Sequence, residues 1–247
     1  MAVAQDFRLL SAFEALYSRH PYVHRASTHG DNMATELFED LFVRSMARDP
    51  ASRFVVRVND ATRVVDRRNK SYNVSARRGD GLLGEVMHGA PTASLPGFAV
   101  KRGPTVATEI GVEMKIVAKA MLKQIGRVCT DLNNQKNEFA AHTGSRPPIS
   151  VAIVAVNFAP IYCGLEKKRK YITDGKTYRH PIQEAAEAKR RLETFVKPNY
   201  DFFIMLEYSA TNMKPYPFSW VNPTGQVADY NAELSRLAVE YEARFGK

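Results

Sequence analysis

The sequence is poor in the residues from which disulfide frameworks and thiolate metal sites are built. Cys129 and Cys163 are the only cysteines among 247 residues. This excludes a disulfide framework and a thiolate zinc cluster, and it favours a reducing compartment. The six histidines show no zinc-ligand spacing. His20 and His24 stand four residues apart, but Pro21 between them argues against the regular helix that such a pair needs.

Long apolar runs are also lacking. No uninterrupted apolar stretch approaches the roughly 18–20 residues that a membrane helix requires. Residues 1–10 carry Asp6 and Arg8 where a signal peptide has a long apolar core. We therefore expect a cytoplasmic protein without a membrane partner. Gly-rich phosphate loops and a serine nucleophile elbow are absent from the sequence, which argues against the commonest nucleotide-binding and acyl-transfer sites.

Acidic residues are fewer than basic ones. There are 26 Asp and Glu against 35 Lys and Arg, which gives a formal net charge of +9. An excess of positive charge favours a polyanionic partner such as nucleic acid. At this length a chain buries about 70–75% of its unfolded surface. We expect one folded domain over residues 1–247, with a core at about 31–208 and a C-terminal helix at 226–245.

The apolar patterns predict helices and strands that alternate along the chain. In order, the predicted elements are a helix over Asp31–Met46 with Asp31 as its N-cap, strands over Phe54–Val58, Leu82–Met87 and Thr108–Ile116, a helix after Ile116, a buried strand over Ile149–Phe158, a helix from Pro181 to about Val196, a strand over Asp201–Tyr208, and a last amphipathic helix. This order predicts an α/β fold with a mixed central β-sheet flanked by helices.

Strand Thr108–Ile116 carries the most informative pattern. Strict alternation predicts Glu109, Glu113 and Lys115 on one face and four apolar side chains on the other. Glu113-Met114-Lys115 is an acidic-x-Lys triplet, and on a strand the i, i+2 spacing directs both charged groups to the same side. The same triplet recurs at residues 166–168, 174–176 and 187–189, where polar loops or a helix do not hold the two groups together on one rigid face.

Two carboxylates and a lysine in one cleft suit phosphodiester hydrolysis. Carboxylate oxygens are ligands for Mg²⁺, which also bridges to substrate phosphate. The metal lowers the pKa of a bound water, and an ammonium group orients that water and stabilises the developing negative charge. The alternative for Glu113 and Lys115 is a solvated cross-strand pair on an ordinary sheet.

Here the chain resembles the PD-(D/E)xK nuclease superfamily, which has the restriction-endonuclease-like fold. The resemblance rests on the triplet in its strand, the helix directly after it, the buried strand at Ile149 and the acidic helix at Asp31–Asp40. It implies that an upstream acid and the acid of the triplet bind Mg²⁺, for which Mn²⁺ can substitute, while the lysine lies beside the attacking water. Glu113 and Lys115 match this motif directly.

The upstream acid departs from the family pattern, because no Pro-Asp pair precedes the triplet. Asp80 stands 33 residues before Glu113, and Glu85 stands 28 residues before it. We prefer Asp80, since a turn before a strand can reach into the cleft, although Gly-Asp-Gly also suits an ordinary turn. The resemblance further implies Glu36 on the first helix as an acid that reaches the metal through water, and Met114 completes the candidate metal-site residues.

Two basic loops, at residues 59–78 and 166–180, are the candidate DNA contacts because Arg and Lys are concentrated there beside Asn and Tyr. The loop residues assigned to DNA contact are Arg67, Arg68, Lys70, Arg77, Arg78, Lys167, Lys168, Arg169 and Lys170. The resemblance adds Gln124, on the helix after the triplet, as a further DNA contact. Each could instead be an ordinary solvated side chain.

The combined expectation is a Mg²⁺-dependent endonuclease acting on double-stranded DNA, of the restriction or phage-defence type. Cutting both strands symmetrically needs two sites, so a homodimer is expected. The alternatives are a non-catalytic DNA-binding protein with the same architecture, and a defence nuclease that is activated by a signal or partner.

Overall fold

The structure, a computed structural model, describes residues 7–24, 26, 28–66, 79–141, 146–166 and 169–246, with the backbone alone described at 140–141, 165–166 and 169–170. The helices are α1 Arg8–Ala15, α2 Thr28–Arg48, α3 Arg53–Asn59, α4 Met121–Ala141, α5 Ile182–Phe195 and α6 Pro223–Phe245. The strands are β1 Arg63–Asp66, β2 Gly81–Val86, β3 Thr105–Val117, β4 Ile149–Asn157, β5 Cys163–Glu166, β6 Arg169–Ile172, β7 Phe202–Ala210 and β8 Phe218–Trp220. The predicted α/β class with a mixed sheet is confirmed.

Six of these strands form one sheet in the order β1-β2-β3-β4-β7-β8. Strands β1, β2 and β3 are antiparallel, β3, β4 and β7 are parallel, and β8 is antiparallel to β7. Strands β5 and β6 form a separate two-stranded hairpin, which pairs with no other strand in the described part of the chain. The C-terminal ends of the parallel strands meet along one side of the sheet, which we call the carboxyl edge; it is marked by Val117, Asn157 and Ala210.

Helices pack on both faces of the sheet. One core contains Ile110, Val112 and Met114 of β3 together with buried side chains of α1, α2, α3 and α6. The other contains Val117 and the apolar faces of α4 and α5. All nine residues of β4 are buried because both faces of this central strand are covered. Among the described residues, no helix is both long and apolar enough to cross a membrane.

The prediction of a strand over Phe54–Val58 is wrong, because this segment lies in helix α3. Phe54, Val55 and Val58 are buried on one side of the helix. The backbone N–H groups of Arg53 and Phe54 donate to the carboxylate of Glu242 on α6, at 3.2 and 2.9 Å. Tertiary packing and a cap from a distant helix thus outweigh the β preference of the valines. The first strand is β1, which follows α3.

Smaller differences concern where elements begin and which short ones exist. Helix α2 begins at Thr28, so Asp31 lies inside it and is not its N-cap. Part of the segment predicted as a basic loop forms the β5–β6 hairpin. Helix α1 and strand β8 had no counterpart in the prediction. The predicted strand at Ile149 and the predicted helix from Pro181 correspond to β4 and α5.

Candidate active site

Strand β3 holds the acid and the lysine of the triplet side by side. Glu113 is buried, and its Oε1 accepts a hydrogen bond from the Lys115 ammonium group. The side chain of Lys115 is 30% exposed. The i, i+2 spacing on a strand brings these two groups to one side. The pair therefore presents a charged group to solvent while its acid lies in the interior.

Asp80 is fixed beside Glu113 by two hydrogen bonds to the residues that flank Glu113. The backbone N–H of Asp80 donates to Val112 O at 3.1 Å, and its carboxylate Oδ2 accepts from the N–H of Met114 at 2.7 Å. These contacts continue the antiparallel pairing of β2 with β3, in which Gly81 lies opposite Val112. The turn before β2 thus carries a carboxylate to the central part of β3.

Helix α2 closes over Asp80 because it has a glycine at the point of contact. A Cβ placed on Gly30 would lie 2.2 Å from Asp80 Cγ, a distance that real structures do not show. Helix α2 also approaches the start of β2 closely, since a Cβ on Gly81 would lie 2.6 Å from Cβ of Ala34. Small residues therefore let the first turns of α2 pack directly against the Asp80 turn.

Two carboxyl groups in this buried setting raise the pKa of Glu113 to about 7. Burial is the largest cause, the neighbouring carboxylate of Asp80 adds to it, and the ammonium group of Lys115 opposes it. The second oxygen of Glu113, Oε2, is buried and has no hydrogen-bond partner within the described part of the chain. Glu113 therefore has an oxygen available for a proton or a cation.

The expectation that Glu109 shares the face of Glu113 is wrong. Leu83 pairs with Ile110 and Gly84 pairs with Thr108, so Glu109 is the extra residue of a β-bulge. Its carboxylate accepts from Arg63 Nε at 2.8 Å and from the hydroxyl of Tyr241 on α6 at 2.5 Å. The bulge thus turns Glu109 toward the α3–α6 side of the sheet.

The other candidate metal ligands lie elsewhere. Glu36 accepts from Arg8 Nε at 2.8 Å, and it lies six residues beyond Gly30, about 9 Å along α2. Glu85 is exposed, near the far end of β2, opposite Arg63. The Met114 side chain is buried in the core. The structure therefore brings Asp80, Glu113 and Lys115 together and leaves Glu36 and Glu85 apart from them.

Most of the residues assigned to DNA contact lie outside the described residues, namely Arg67, Arg68, Lys70, Arg77, Arg78, Lys167 and Lys168. Arg169 and Lys170 belong to strand β6, where the backbone alone is described. Gln124 lies in the first turns of α4, and its amide Nε2 donates to Lys119 O at 3.0 Å.

Two features near the acid cluster were not predicted from the sequence. The first is the contact of Gly30 with Asp80. In a single sequence Gly30 is only a glycine near a predicted helix start, and nothing indicates this contact. Lys119, two residues after β3, lies over the ring of Tyr171 with its Nζ 4.2 Å from the ring centroid. The sequence predicted Lys119 only as one of the basic residues beside the helix after β3. Its contact with Tyr171 could not be predicted, because Tyr171 belongs to the β5–β6 hairpin, which was not predicted either.

The acid cluster offers two carboxylates and one lysine. Within the ranges that the structure covers, no group of three His, Cys, Asp or Glu side chains stands close enough together to hold a metal ion by itself. In comparisons with known proteins, no protein family, no curated protein and no solved structure matches the chain.

Proposed function

We propose that this chain is a Mg²⁺-dependent endonuclease that hydrolyses phosphodiester bonds of double-stranded DNA. The observation that carries the proposal is the convergence of Asp80 and Lys115 on the buried Glu113. Two carboxylates next to each other in a poorly solvated place are stable only with a proton or a cation between them. Glu113 Oε2 is buried and has no hydrogen-bond partner among the described groups, which leaves it able to bind a metal ion.

The residues present fit Mg²⁺. This ion commonly uses one or two protein carboxylates and completes its shell with waters and substrate phosphate, so a third acid is not required. Asp80 and Glu113 would hold the ion. When bound, Mg²⁺ supplies a water of lowered pKa and offsets negative charge on the phosphate.

The side chains of this site would divide the remaining tasks. The Lys115 ammonium group, partly exposed and flexible, orients the attacking water and stabilises the negative charge that develops on the phosphate. The N–H of Met114 holds the Asp80 carboxylate in place. Gly30 lets α2 cover the far side of Asp80, which keeps bulk water away from that side.

The order of elements supports the finer proposal of a restriction-endonuclease-like fold. Three antiparallel strands lead into α4, and α4 leads into a parallel strand, with the acid-x-Lys triplet on the third of these strands. The net charge of +9 supports a DNA partner. A homodimer would place two such sites on the two strands of a duplex.

A plasmid assay tests the proposal. Purified protein with supercoiled plasmid and Mg²⁺ should produce nicked and linear DNA, and EDTA should stop the reaction. Lys115→Ala should lower the cleavage rate by about a thousandfold or more, while Lys123→Ala, an exposed lysine on α4, should cleave normally.

The outcomes separate the alternatives. Intact plasmid in Mg²⁺ and in Mn²⁺ contradicts the proposal for the isolated chain. Retained DNA binding in that case favours the non-catalytic DNA-binding protein. Cleavage that begins only after a partner or signal molecule is added favours the activated defence nuclease.

A further inference from the structure

A second cluster lies at the carboxyl edge and is made of tyrosines and one lysine. Tyr162, Tyr171 and Tyr178 follow one another, with ring centroids 6.0 and 5.0 Å apart. Lys119 Nζ lies 5.2 Å from the centroid of Tyr162 and 4.2 Å from that of Tyr171. We call these four residues the tyrosine platform. Tyr162 is fully buried, whereas Tyr178 is 50% exposed, so the platform leads from the interior to the surface.

The loop that carries Tyr178 is held in one shape. The carboxylate of Asp174 accepts the backbone N–H groups of Lys176 and Tyr178, at 3.0 and 2.8 Å. Thr173 Oγ1 accepts the N–H of Tyr162 at 2.9 Å, which ties the loop to the buried end of the platform. The exposed tyrosine ring is therefore presented on a preorganised loop, which limits the entropy lost when a ligand binds.

The tyrosine platform lies close to the acid cluster. Lys119 comes four residues after Lys115, so at most about 14 Å of chain separates them. A second connection runs through Tyr162, whose hydroxyl lies 2.7 Å from His24 Nδ1, just before helix α2 begins. Helix α2 itself packs on Asp80 through Gly30. Glu113 and Lys119 are six residues apart, so at most about 21 Å of chain separates them, and a nucleic-acid strand a few nucleotides long can contact both.

The chemistry of the platform fits a base and a phosphate. An exposed aromatic ring can stack on a nucleobase, and a nearby ammonium group can bind the phosphate. Lys176 and Arg179 flank Tyr178, and the only acid in the 173–180 loop is Asp174, whose carboxylate is engaged by the backbone. In a paired duplex the faces of each base are covered by its neighbours. Only an unpaired or extruded nucleotide can offer a face to Tyr178.

We propose that the tyrosine platform binds one unpaired nucleotide of the DNA strand that is cut, with its base on Tyr178 and its phosphate at Lys119. The substrate is then DNA that carries an unpaired nucleotide, as a bulge, a flipped base or a single-stranded end. This inference rests on the proposed nuclease function for the position of the cut, but the binding itself does not depend on cleavage.

A binding assay in EDTA tests the inference without cleavage. The probes are a fluorescently labelled paired duplex, the same duplex with one bulged adenine, and its single strand. The full chain should bind the bulged duplex more tightly than the paired one. Tyr178→Ala should weaken binding to the bulged duplex and the single strand by about 5- to 150-fold, with little change for the paired duplex. Tyr178→Phe should keep the affinity, because the ring remains.

The matched control is Phe195→Ala, which removes a similarly exposed ring at the end of α5, away from the carboxyl edge. This variant should bind all three probes normally. Equal affinity of the unaltered chain for paired and bulged duplex would overturn the inference, as would an equal loss on all probes in Tyr178→Ala. A preference for the bulge without cleavage in Mg²⁺ would remove the nuclease proposal and leave this one standing. Cleavage in Mg²⁺ without a preference for the bulge would support the nuclease proposal and remove the proposal for the tyrosine platform.

Discussion

Glu113 combines two properties that ordinary structural acids do not combine. It is buried next to a second carboxylate, and one of its oxygens has no hydrogen-bond partner among the described residues. Its salt bridge with Lys115 offsets only part of this cost, since burial and Asp80 still raise the pKa of Glu113 to about 7. Such an arrangement stabilises the fold less than an apolar pair of the same size does. This cost is a reason for our proposal that Glu113 takes part in chemistry.

Glu113→Gln should reveal this cost as a pH-dependent stability difference. The folded pKa of Glu113, about 7, lies above its ordinary value, so the stability from its protonated form is full below about pH 4.5 and is lost as the pH rises through 7. Glutamine resembles the protonated form at every pH. The free energy of unfolding of the variant minus that of the unaltered chain should therefore be larger at pH 8 than at pH 5, by about 1–3 kcal/mol. Urea unfolding in EDTA measures this change, and an identical difference at both pH values would contradict it.

Asp80 and Glu85 provide a matched pair for the upstream acid. Asp80→Asn keeps the shape of the side chain but removes a metal-binding charge, so cleavage should fall by about a hundredfold or more. Glu85→Gln changes an exposed carboxylate near the other end of β2 and should leave cleavage unchanged. Initial rates with plasmid and Mg²⁺ measure both effects. A larger loss in Glu85→Gln than in Asp80→Asn would show that Glu85, and not Asp80, is the upstream acid.

Among the elements, those with a strong local pattern were predictable and those fixed by distant contacts were not. Strand β4 is apolar except for Ser150 and Asn157, and the sequence of β3 alternates between charged and apolar residues near Glu113, so both were found from the sequence. Helix α1 begins where Asp40 of α2 accepts the N–H groups of Arg8 and Leu9, at 2.8 and 3.0 Å. The start of α3 depends in the same way on Glu242. A cap supplied by another helix leaves no local signal, and neither does the bulge that turns Glu109 to the other face.

Gly30→Ala tests how closely α2 must approach the acid cluster. The new methyl group would have to displace the Asp80 carboxylate, so cleavage should fall by about tenfold or more although no catalytic group is changed. Gly126→Ala is the control. No atom lies within 4 Å of a Cβ at this helical glycine, so the variant should be more stable by about 0.5–1 kcal/mol and fully active. Equal activity of the two variants would contradict the close contact.

At the scale of the whole molecule, the two unusual clusters both lie along β3 and the segment that follows it. The tyrosine platform lies beside the carboxyl edge, whereas Glu113 lies further back in β3, where it pairs with Ala152 of β4. The alternation of helices and strands predicted a mixed sheet, but the strand order and this meeting of distant residues depend on non-local pairing. The sequence could therefore indicate the triplet and its lysine without showing how Asp80 reaches them.

The net positive charge predicts binding to DNA that depends strongly on salt. If about 6–10 phosphates are contacted, affinity for duplex DNA in EDTA should fall by about 10³- to 10⁵-fold between 50 and 200 mM salt. Fluorescence anisotropy across a salt series measures the slope. An affinity that does not change with salt would contradict a phosphate-binding surface.

The most direct measurement is the position of a divalent ion in a crystal of the full chain soaked in Mn²⁺ and located by its anomalous scattering. One manganese ion should be bound by the carboxylates of Asp80 and Glu113, with the Lys115 ammonium group close by, and a Glu113→Gln crystal should hold no such ion. Manganese bound only at other residues, or an Asp80–Glu113 pair that stays metal-free at saturating Mn²⁺, would contradict this prediction.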